Sequence, residues 1–494
     1  MSTDAPAEAA PQIISLSARV KELSEERGDR PAVTDHRRTV SWGEMHRRTN
    51  RIARGLQKAG VKQGDLVTIG LPNSADFIEA CYALWKVGAT PQPISFRLPQ
   101  AEATAVMALA ETPILIATDS LESPDRPRYD VEALLALSDD ESDLPDVTAP
   151  IWKAPTSGGS TGRPKLILSG GPGVYNREMP GGYRSTGEDV MLQPGPLYHN
   201  GPFTSSFGGL NQGAHLIVMP RFDAEETLRL IGAHKASWIY TVPTMMSRIW
   251  RLPEEVRGRY DVSSLKTLWH LAAPCPPWLK EAFIHWLGPD VVMELYAGTE
   301  AQAVTIITGT EWLEHRGSVG KVTVGEMCAF DGEGQPLPAG ETGEIFMRRP
   351  AGAPPSYAYR GATPRTLPGG WESLGDIGWF DEDGYLYLAD RRTDMILVGG
   401  SNVYPAEIES ALDEHPLVQS SAVIGLPDDE MGNTIHAIVQ PRPGLAEADL
   451  REHLRTRLVT YKQPRTYEFV AENIRDDAGK VRRTQLREER LAKA

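Results

Sequence analysis

The order of secondary-structure patterns between residues 66 and 94 constrains the fold most strongly. Residues 66–71 form an apolar run, and Pro72-Asn73-Ser74 then turns into a helical pattern that ends at Gly88. The apolar side chains of this pattern recur at the spacing of one helix face: Phe77, Ile78, Cys81, Leu84 and Trp85. A strand, a helix and another strand in this order favour parallel strand pairing. The sequence therefore predicts an α/β fold.

Other parts of the chain are interpreted in the same way. A helix is predicted from Ser41-Trp42-Gly43-Glu44, a capping box that satisfies two backbone donors, to Gly60. The last hundred residues are expected to form a small α/β unit, with helices over 405–412 and around 450–458 and strands over 421–424 and 434–439. Three segments are expected to lie outside regular elements: a disordered tail over 1–12, an acidic solvated linker over 139–143 and a Pro- and Gly-rich loop over 352–370.

The charge balance and the termini exclude several classes of protein. The chain has 51 Lys and Arg against 66 Asp and Glu, a net charge of −15, which argues against a general binder of nucleic acid or anionic membranes. No apolar run approaches the ~18 residues of a membrane span, and the N-terminus does not resemble a secretory signal. The three cysteines, Cys81, Cys275 and Cys328, are far apart and are interpreted as reduced thiols. We therefore predict a cytoplasmic protein with no nucleic-acid partner and no membrane insertion.

The first segment that carries chemistry is Thr156-Ser157-Gly158-Gly159-Ser160-Thr161-Gly162-Arg163-Pro164-Lys165. Its glycines allow a tight backbone that directs successive N–H groups to one point, and its hydroxyls and Lys165 add donors and positive charge. These are the groups that a polyphosphate requires. A Walker A loop is excluded, because that motif places its Lys directly after the last Gly, whereas Arg163 and Pro164 separate Gly162 from Lys165 here. A Gly- and Ser-rich stretch is also a common flexible connector, so the loop alone leaves both interpretations open.

Four more segments follow in order. In Tyr296-Ala297-Gly298-Thr299-Glu300, the Tyr offers a flat face to a base and the Glu a hard oxygen ligand for Mg²⁺. In Leu374-Gly375-Asp376-Ile377-Gly378, an Asp at a strand end could accept hydrogen bonds from both ribose hydroxyls. The last two segments are 390–405, which contains Gly399-Gly400, and Gly479-Lys480-Val481-Arg482-Arg483. In isolation, each of these residues also fits an ordinary strand end, turn or solvated surface.

Together, the five segments in this order resemble the adenylate-forming superfamily of acyl-CoA synthetases, peptide-synthetase adenylation domains and beetle luciferases. The resemblance extends from residue 41 to residue 483. Residues 270–277 (HLAAPCPP) and 393–405 are most similar to stand-alone ligases for steroid, bile and aromatic acids. The resemblance implies an α/β fold with a large N-terminal domain over 13–390, in which helices flank parallel and mixed sheets beside a β-barrel-like subdomain. It also implies a small mobile C-terminal α+β domain over 391–494.

The same resemblance implies roles for individual residues. Tyr296 would stack on adenine, Thr299 would contact the α-phosphate, Glu300 would hold Mg²⁺ and Lys480 would be the catalytic lysine. The positions that it assigns to ATP or CoA are Ser157, Gly158, Gly159, Ser160, Thr161, Gly162, Lys165, Ala272, Ala273, Pro274, Tyr296, Asp376, Arg391, Gly399 and Gly400. The positions that it assigns to the acid pocket are His199, Asn200, Gly201, Phe203, Tyr240, Val242, Ala297 and Gly298. His199 matches the gate between the acid pocket and the thiol tunnel, and is counted among the catalytic residues with Thr299.

The implied activity is a two-step ligation. A small-molecule carboxylic acid reacts with ATP and Mg²⁺ to give an acyl-adenylate and pyrophosphate, and the acyl group then passes to CoA. The alternative is an amide bond synthetase, which transfers the acyl group to an amine without CoA. A carrier protein acting in trans is a third acceptor. A binding-only relic would have lost a catalytic charge, whereas the expected charged residues are all present: Lys165, Glu300, Asp376, Arg391 and Lys480.

Overall fold

The computed structural model describes residues 12–158, 164–179, 182–391, 394–398, 401–428, 431–476 and 479–492. These residues divide into two units. Of the described residues, the first unit contains those within 12–157, 164–193 and 197–220, and the second contains residue 158, residues 194–196 and all those from 221 onward. Residues 1–11 of the predicted disordered tail lie outside the described residues. The division into domains at residues 390 and 391 stays a prediction.

The first unit contains twelve of the assigned strands and six α-helices. Its strands are β1 (Ile13–Ser15), β2 (Pro31–Thr34), β3 (Thr39–Ser41), β4 (Leu66–Gly70), β5 (Thr90–Pro93), β6 (Leu115–Ala117), β7 (Arg128–Tyr129), β8 (Thr156–Gly158), β9 (Pro164–Ser169), β10 (Val174–Asn176), β11 (Val190–Gln193) and β12 (His215–Val218). Its helices are α1 (Leu16–Arg27), α2 (Trp42–Lys58), α3 (Ala75–Val87), α4 (Gln100–Ala110), α5 (Val131–Ala136) and α6 (Asn200–Leu210).

The predicted strand–helix–strand unit is present in the first unit. β4 pairs in parallel with both β5 and β6, and α3 connects β4 to β5. The Ser74 hydroxyl caps α3 by accepting a hydrogen bond from the backbone N–H of Phe77 at 3.3 Å. The helix ends at Gly88, which has a φ of +78°, a value that glycine adopts without steric cost. The prediction of parallel pairing is therefore confirmed.

The acidic segment 139–143 is exposed along its whole length, which agrees with the prediction of a solvated segment, and its side chains also pair with basic side chains of α2. Arg54 Nε lies 2.9 Å from Asp140 Oδ2, and His46 Nε2 lies 2.8 Å from Asp143 Oδ1. Burial lowers the pKa of His46 more strongly than the neighbouring Asp143 raises it. The polar face of α2 carries basic side chains at helical spacing, and these side chains bind the acidic segment along the helix.

The second unit contains the remaining assigned strands and α-helices. Its strands are β13 (Trp238–Thr241), β14 (Thr267–His270), β15 (Val292–Ala297), β16 (Val304–Thr308), β17 (Ser318–Val324), β18 (Glu326–Phe330), β19 (Gly343–Arg348), β20 (Tyr357–Arg360), β21 (Arg365–Leu367), β22 (Trp371–Phe380), β23 (Tyr385–Arg391), β24 (Ile396–Val398), β25 (Ser401–Val403), β26 (Val418–Asp428), β27 (Gly432–Pro441) and β28 (Thr466–Phe469). Its helices are α7 (Ala224–His234), α8 (Pro243–Trp250), α9 (Glu254–Arg257), α10 (Pro277–Leu287), α11 (Gly309–Glu314), α12 (Pro405–Asp413), α13 (Glu447–Arg455) and α14 (Arg483–Leu491).

The main sheet of the second unit is mixed. β13, β14 and β15 pair in parallel, and the sheet then continues in antiparallel pairing through β16, β17, β23, β22, β19 and β18. The segment 352–370, predicted as a continuous loop, contains the short strands β20 and β21, so that prediction is wrong in part. Among the described residues, no helix has both the length and the apolar character needed to cross a membrane.

The C-terminal part of the second unit has its own small sheet. β26 pairs antiparallel with β27, and β27 pairs parallel with β28. Apolar residues of α12 and α13 lie in one buried cluster with residues of these strands: Ile408, Leu412, Val423, Ala437, Val439, Leu450 and Leu454. The predicted helices and strands are present, although both long strands extend several residues beyond the predicted limits because they pair as one hairpin.

Candidate active site

The carboxyl ends of three parallel strands gather most of the predicted site residues of the second unit. β13 ends at Thr241, β14 at His270 and β15 at Ala297. In open α/β sheets, ligands bind in the crevice outside these strand ends. The segments that follow the three strands carry predicted residues: Val242, Ala272, Ala273, Pro274, Gly298, Thr299 and Glu300. The topology therefore brings residues that are up to 58 positions apart in sequence to one edge of the sheet.

The loop after β14 has an unusual backbone. Ala272 has a φ of +74°, in the left-handed region that residues with a Cβ rarely occupy. Such a conformation costs of order 1–3 kcal/mol and persists only where the surrounding structure enforces it. This loop is the segment that the resemblance assigns to the border of the adenine site.

A buried hydrogen bond links two of the predicted nucleotide-binding residues. The Tyr296 hydroxyl donates to Asp376 Oδ2 at 2.6 Å, and Asp376 is 8% exposed on β22. The backbone of Asp376 pairs with that of Arg391 on β23. Tyr296 and Asp376 are 80 residues apart in sequence and meet because β15 and β22 belong to the same mixed sheet. The pair fixes a carboxylate beside the flat ring of a tyrosine.

Glu300 lies in a cluster of tyrosines and carboxylates. The Tyr359 hydroxyl donates to Glu300, which is 5% exposed, and the Tyr357 hydroxyl donates to Glu372 at 2.7 Å. Burial, followed by the hydrogen bond to Glu300, raises the pKa of Tyr359. Gln302 also donates to Glu372, at 2.8 Å. A buried carboxylate held in place by a phenol is a suitable hard oxygen ligand for Mg²⁺.

Tyr357, Tyr359 and Glu372 are not among the residues that the sequence predicts for the site. The pattern Tyr357-Ala358-Tyr359 alternates with the period of a strand, but it lies in a segment dense in proline and glycine that predicts a loop. This alternation is the signal that could have identified the two tyrosines. Their carboxylate partners cannot be inferred from the pattern, since the hydrogen bonds join residues 15 and 59 positions apart.

Arg475 and Val481 form an antiparallel bridge that closes a hairpin carrying Lys480. This Lys480 hairpin lies against the start of α8. Gly479 has a φ of +77°, and a Cβ at this position would lie 2.8 Å from Thr244 Oγ1 and 3.5 Å from Val242 Cγ2. The backbone N–H of Lys480 donates to Asp476 Oδ1 at 2.9 Å. A second contact joins the end of α8 to the end of α12: Arg251 Nη2 donates to the carbonyl oxygen of Asp413 at 2.7 Å. Lys480 is therefore held beside the carboxyl end of β13.

The first unit holds the other predicted pocket residues. His199 is the N-cap residue of α6, and its ring lies 4.5 Å from the ring of Tyr198 between centroids. Asn200 accepts a hydrogen bond from the Lys153 ammonium group, and Gly201 lies in the first turn of α6. Phe203 is 1% exposed and packs in an aromatic cluster with Phe77, Trp85, Trp152 and Phe207.

Some predicted residues are not described. Gly159, Ser160, Thr161, Gly162, Gly399 and Gly400 lie outside the described residues. The backbones of Ser157 and Gly158 belong to β8 and Lys165 to β9, so the described strands lie on both sides of the predicted phosphate loop. The roles predicted for all these positions stay predictions.

A buried charged cluster lies directly below the strand ends. His270 is fully buried, and its Nε2 lies 3.8 Å from Glu294 Oε2 on the adjacent strand. Lys280 of α10, 1% exposed, donates to Glu294 Oε2 at 2.5 Å. Burial lowers the pKa of His270 from 6.5 to about 4; Glu294 acts in the opposite direction and Lys280 in the same direction as burial.

This cluster predicts an acid-dependent loss of stability. Between pH 6.5 and 4 the unfolded chain binds a proton at His270 that the folded chain does not, so stability falls as the pH falls. Complete protonation of His270 in the unfolded chain lowers the free energy of unfolding by about 3 kcal/mol. Urea unfolding at pH 7 and pH 4.5 should show that the free energy of unfolding decreases less for His270→Leu than for the wild type when the pH is lowered. The control His285→Leu changes an exposed histidine of α10 and should keep the wild-type loss; equal losses in all three proteins would contradict the assignment.

Comparison with known families assigns the chain to one of them. The profile of the AMP-binding enzyme family matches residues 20–357, and that of the AMP-binding enzyme C-terminal domain matches residues 407–480. The chain belongs to the AMP-binding enzyme family. The predicted resemblance to adenylate-forming enzymes and the prediction of an AMP-forming acid ligase are thereby confirmed.

Individual relatives cover nearly the whole chain. A feruloyl-CoA synthase from Amycolatopsis sp is 31% identical over 462 residues, which cover 91% of this chain and 93% of the relative. A fatty acid–acyl-carrier-protein ligase from Streptomyces coeruleorubidus is 29% identical over 490 residues, with 93% of each chain covered.

Solved structures of similar fold were also found. The anthranilate CoA ligase AuaEII in complex with anthranoyl-AMP matches with a TM-score of 0.82 at 23% identity, covering 98% of this chain and 99% of the other. The amide bond synthetase McbA from Marinactinospora thermotolerans matches with a TM-score of 0.76 at 24% identity, covering 96% and 99%. At these identities the structures establish the fold, and the predicted α/β class is confirmed.

Proposed function

We propose that this enzyme activates an aromatic or polycyclic carboxylic acid with ATP, releases pyrophosphate and transfers the acyl group to CoA. The observation that carries this proposal is the arrangement at the carboxyl ends of β13, β14 and β15. There the second unit assembles the Tyr296–Asp376 pair, the buried Glu300 and the hairpin of Lys480. These groups are of the types required to bind a nucleotide while a carboxylic acid attacks its α-phosphate.

The chemistry explains why such charges are required. A carboxylate acylates poorly because its leaving group would be oxide, whereas the acyl-adenylate has AMP as leaving group. Its formation brings a carboxylate and a phosphate together, so charge neutralisation and positioning dominate the rate. Lys480 supplies one positive charge and Lys165 another. Mg²⁺, held by Glu300 together with the phosphates of ATP, would supply further electrostatic stabilisation.

Each nucleotide group has a proposed partner. Tyr296 would present its ring to adenine, while Asp376 and Arg391 would bind the ribose hydroxyls. Thr299 would contact the α-phosphate, and residues 157–165 would bind the β- and γ-phosphates through backbone N–H groups and hydroxyls. The hydrogen bond between Tyr296 and Asp376 supports the ribose assignment, since it fixes the carboxylate before the nucleotide arrives.

The acid and its acceptor are proposed from the relatives and the pocket residues. Among the positions that the resemblance assigns to the acid pocket, Phe203 and Tyr240 are aromatic and Val242 is aliphatic; the others are His199, Asn200, Gly201, Ala297 and Gly298. The names of a feruloyl-CoA synthase and an anthranilate CoA ligase support an aromatic acid and CoA. For the transfer step we propose that residues 391–494 rotate as a mobile domain, that Gly399 and Gly400 approach the thiol arm of CoA and that His199 gates its access.

Two other acceptors fit the same adenylation machinery. The structural neighbour McbA is an amide bond synthetase, and the relative from Streptomyces coeruleorubidus is named for an acyl carrier protein. The acceptors are distinguished by their products. The purified enzyme is incubated with ATP, Mg²⁺ and a panel of aromatic and steroidal acids, with CoA and a simple amine present together, and the acyl products are identified by mass spectrometry.

The proposal predicts an acyl-CoA thioester as the main product of this competition. An amide formed with little thioester, and undiminished when CoA is omitted, would assign the enzyme to the amide synthetases. Acyl-adenylate that accumulates without either product would indicate that the acceptor is missing from the mixture, as an acyl carrier protein would be. Release of ADP and phosphate would contradict the proposed activation step itself.

A substitution at Gly479 tests the position of the Lys480 hairpin. Gly479→Ala places a Cβ 2.8 Å from Thr244 Oγ1 on a backbone with a φ of +77°, so either the Thr244 side chain or the hairpin must shift, and the strained backbone favours a displaced hairpin. We expect pyrophosphate release to slow by about tenfold or more, because small displacements of a catalytic group are costly. Transfer from preformed acyl-adenylate to CoA should be retained.

The matched control for this test is Gly432→Ala. Gly432 has a φ of +75° in the β26–β27 hairpin, and a Cβ added at this position would have no atom of the described residues within 4 Å. The control therefore introduces the same backbone strain without the contact. Equal slowing of pyrophosphate release in both variants would show that strain, and not the position of Lys480, causes the effect.

A further inference from the structure

A buried carboxylate in α12 organises two arginines near the Lys480 hairpin. Glu409 is 5% exposed, and its carboxylate accepts hydrogen bonds from Arg483 at 2.8 and 2.9 Å and from Arg475 at 3.0 Å. The backbone N–H of Val423 donates to the same carboxylate at 2.8 Å. Charge-assisted bonds to arginine are strong and directional, and the Arg483 contact involves both carboxylate oxygens.

The two arginines lie on either side of Lys480 in the sequence and are tied to its hairpin. Arg475 forms an antiparallel bridge with Val481, and its Nη1 donates to the carbonyl oxygen of Gly479 at 3.2 Å. The hairpin closes through the backbone N–H of Asp476, which donates to the carbonyl oxygen of Lys480 at 2.9 Å. Arg483 begins α14, three residues after Lys480. Both ends of the hairpin are therefore connected to one carboxylate.

The same cluster reaches the segment that follows β23. Arg483 Nη1 donates to Asp394 Oδ2 at 2.8 Å, and Asp394 lies three residues after the end of β23. Glu409 thus connects the start of the C-terminal segment, through Arg483, with the hairpin that carries Lys480. A continuous set of hydrogen bonds therefore joins Asp394 to the hairpin of Lys480.

We propose that Glu409 is a positioning residue for the adenylation step. It holds Arg475 and Arg483 so that the Lys480 hairpin has one fixed position, and it makes the hairpin follow the segment that begins at Asp394. The proposal rests on the proposed function, in which Lys480 acts during adenylation. Removing the charge of Glu409 leaves two guanidinium groups without their shared anion, so the hairpin loses its fixed position.

The variant that tests the proposal is Glu409→Gln, and Glu407→Gln is the matched control. Glu407 lies two residues earlier in α12, is exposed and pairs with Lys462 at 2.6 Å. The first measurement needs no substrate: hydrogen exchange of the peptide covering residues 475–481. We expect exchange to accelerate at least tenfold in Glu409→Gln and to stay unchanged in Glu407→Gln. Unchanged exchange in Glu409→Gln would overturn the proposal whatever the reaction of the enzyme.

The second measurement separates the two half-reactions, with the aromatic acid that gives the fastest pyrophosphate release. Glu409→Gln should lower the kcat of pyrophosphate release about 10- to 100-fold, with transfer from preformed acyl-adenylate to CoA changed less than twofold. In the background of Lys480→Ala, adding Glu409→Gln should cause no further loss, since the effect acts through Lys480. A further loss in the double variant would contradict the positioning role.

Two outcomes separate failure of this proposal from failure of the proposed function. If Lys480→Ala alone leaves pyrophosphate release unchanged, the proposed role of Lys480 is wrong, while the hydrogen-exchange result still decides whether Glu409 orders the hairpin. If Glu409→Gln does not fold, Arg483→Lys keeps the charge but loses the double contact with Glu409, and it should show the same faster exchange and slower pyrophosphate release. Wild-type exchange in Arg483→Lys would overturn the proposal.

Discussion

Lys480→Ala should lower the rate of pyrophosphate release by about 10²–10³, the usual effect of removing one preorganised charge from a site of developing negative charge. Transfer of the acyl group from preformed acyl-adenylate to CoA should continue at a rate close to that of the wild type. The reason for this split is the location of Lys480 beside the carboxyl end of β13, where we propose that it supplies charge for the first half-reaction. The two rates are measured separately, by pyrophosphate detection and by mass spectrometry of the thioester.

The control for Lys480→Ala is Lys266→Ala, which removes an exposed lysine from the same unit and should leave both rates unchanged. Circular dichroism and thermal unfolding would verify that both variants fold. Equal loss of both half-reactions in Lys480→Ala would contradict the division of labour proposed for this residue.

Glu300→Gln should reduce pyrophosphate release by a similar factor of about 10²–10³. The substitution keeps the size of the side chain and its capacity to accept a hydrogen bond from Tyr359, but it removes the charge that would bind Mg²⁺. The loss should therefore be accompanied by a requirement for higher Mg²⁺ concentrations. Titration of the initial rate with Mg²⁺ at saturating ATP measures this requirement.

Glu372→Gln provides the comparison for Glu300→Gln within the same tyrosine cluster. Glu372 accepts hydrogen bonds from Tyr357 and Gln302, whereas Tyr359 donates to Glu300. The Glu372 variant should retain at least ten times the activity of the Glu300 variant and the Mg²⁺ dependence of the wild type. A Mg²⁺ dependence shifted equally in both variants would show that the cluster as a whole, and not Glu300, determines metal binding.

The local features of the fold are predictable because their causes are local. Ser74 caps α3 and Gly88 ends it as expected, since a hydroxyl before an apolar periodic pattern and a glycine after it determine helix limits. Parallel pairing of β4 with β5 and β6 follows from the order of the elements. The candidate nucleotide-site residues are predicted from the order of five motifs, and this order is a property of the whole chain and of no single segment.

The features that sequence reasoning misses depend on partners distant in sequence. The acidic residues 139–143 are solvated as predicted, but their pairing with the basic face of α2 cannot be inferred from the segment itself. Tyr359 lies in a segment that predicts a loop, and its carboxylate partner is 59 residues earlier in the chain. Glu409 has the sequence pattern of an ordinary helix residue, and the role that we propose for it depends on its contacts with Arg475 and Arg483 and on the contact of Arg483 with Asp394.

Formation of an acyl-adenylate can be followed with an aromatic acid whose two carboxylate oxygens are labelled with ¹⁸O. Attack of the labelled carboxylate on the α-phosphorus of ATP leaves one labelled oxygen on the phosphate when the acyl group departs. We expect AMP that carries one ¹⁸O atom, formed together with acyl-CoA and pyrophosphate. AMP without label, or ADP in place of AMP, would contradict an acyl-adenylate intermediate.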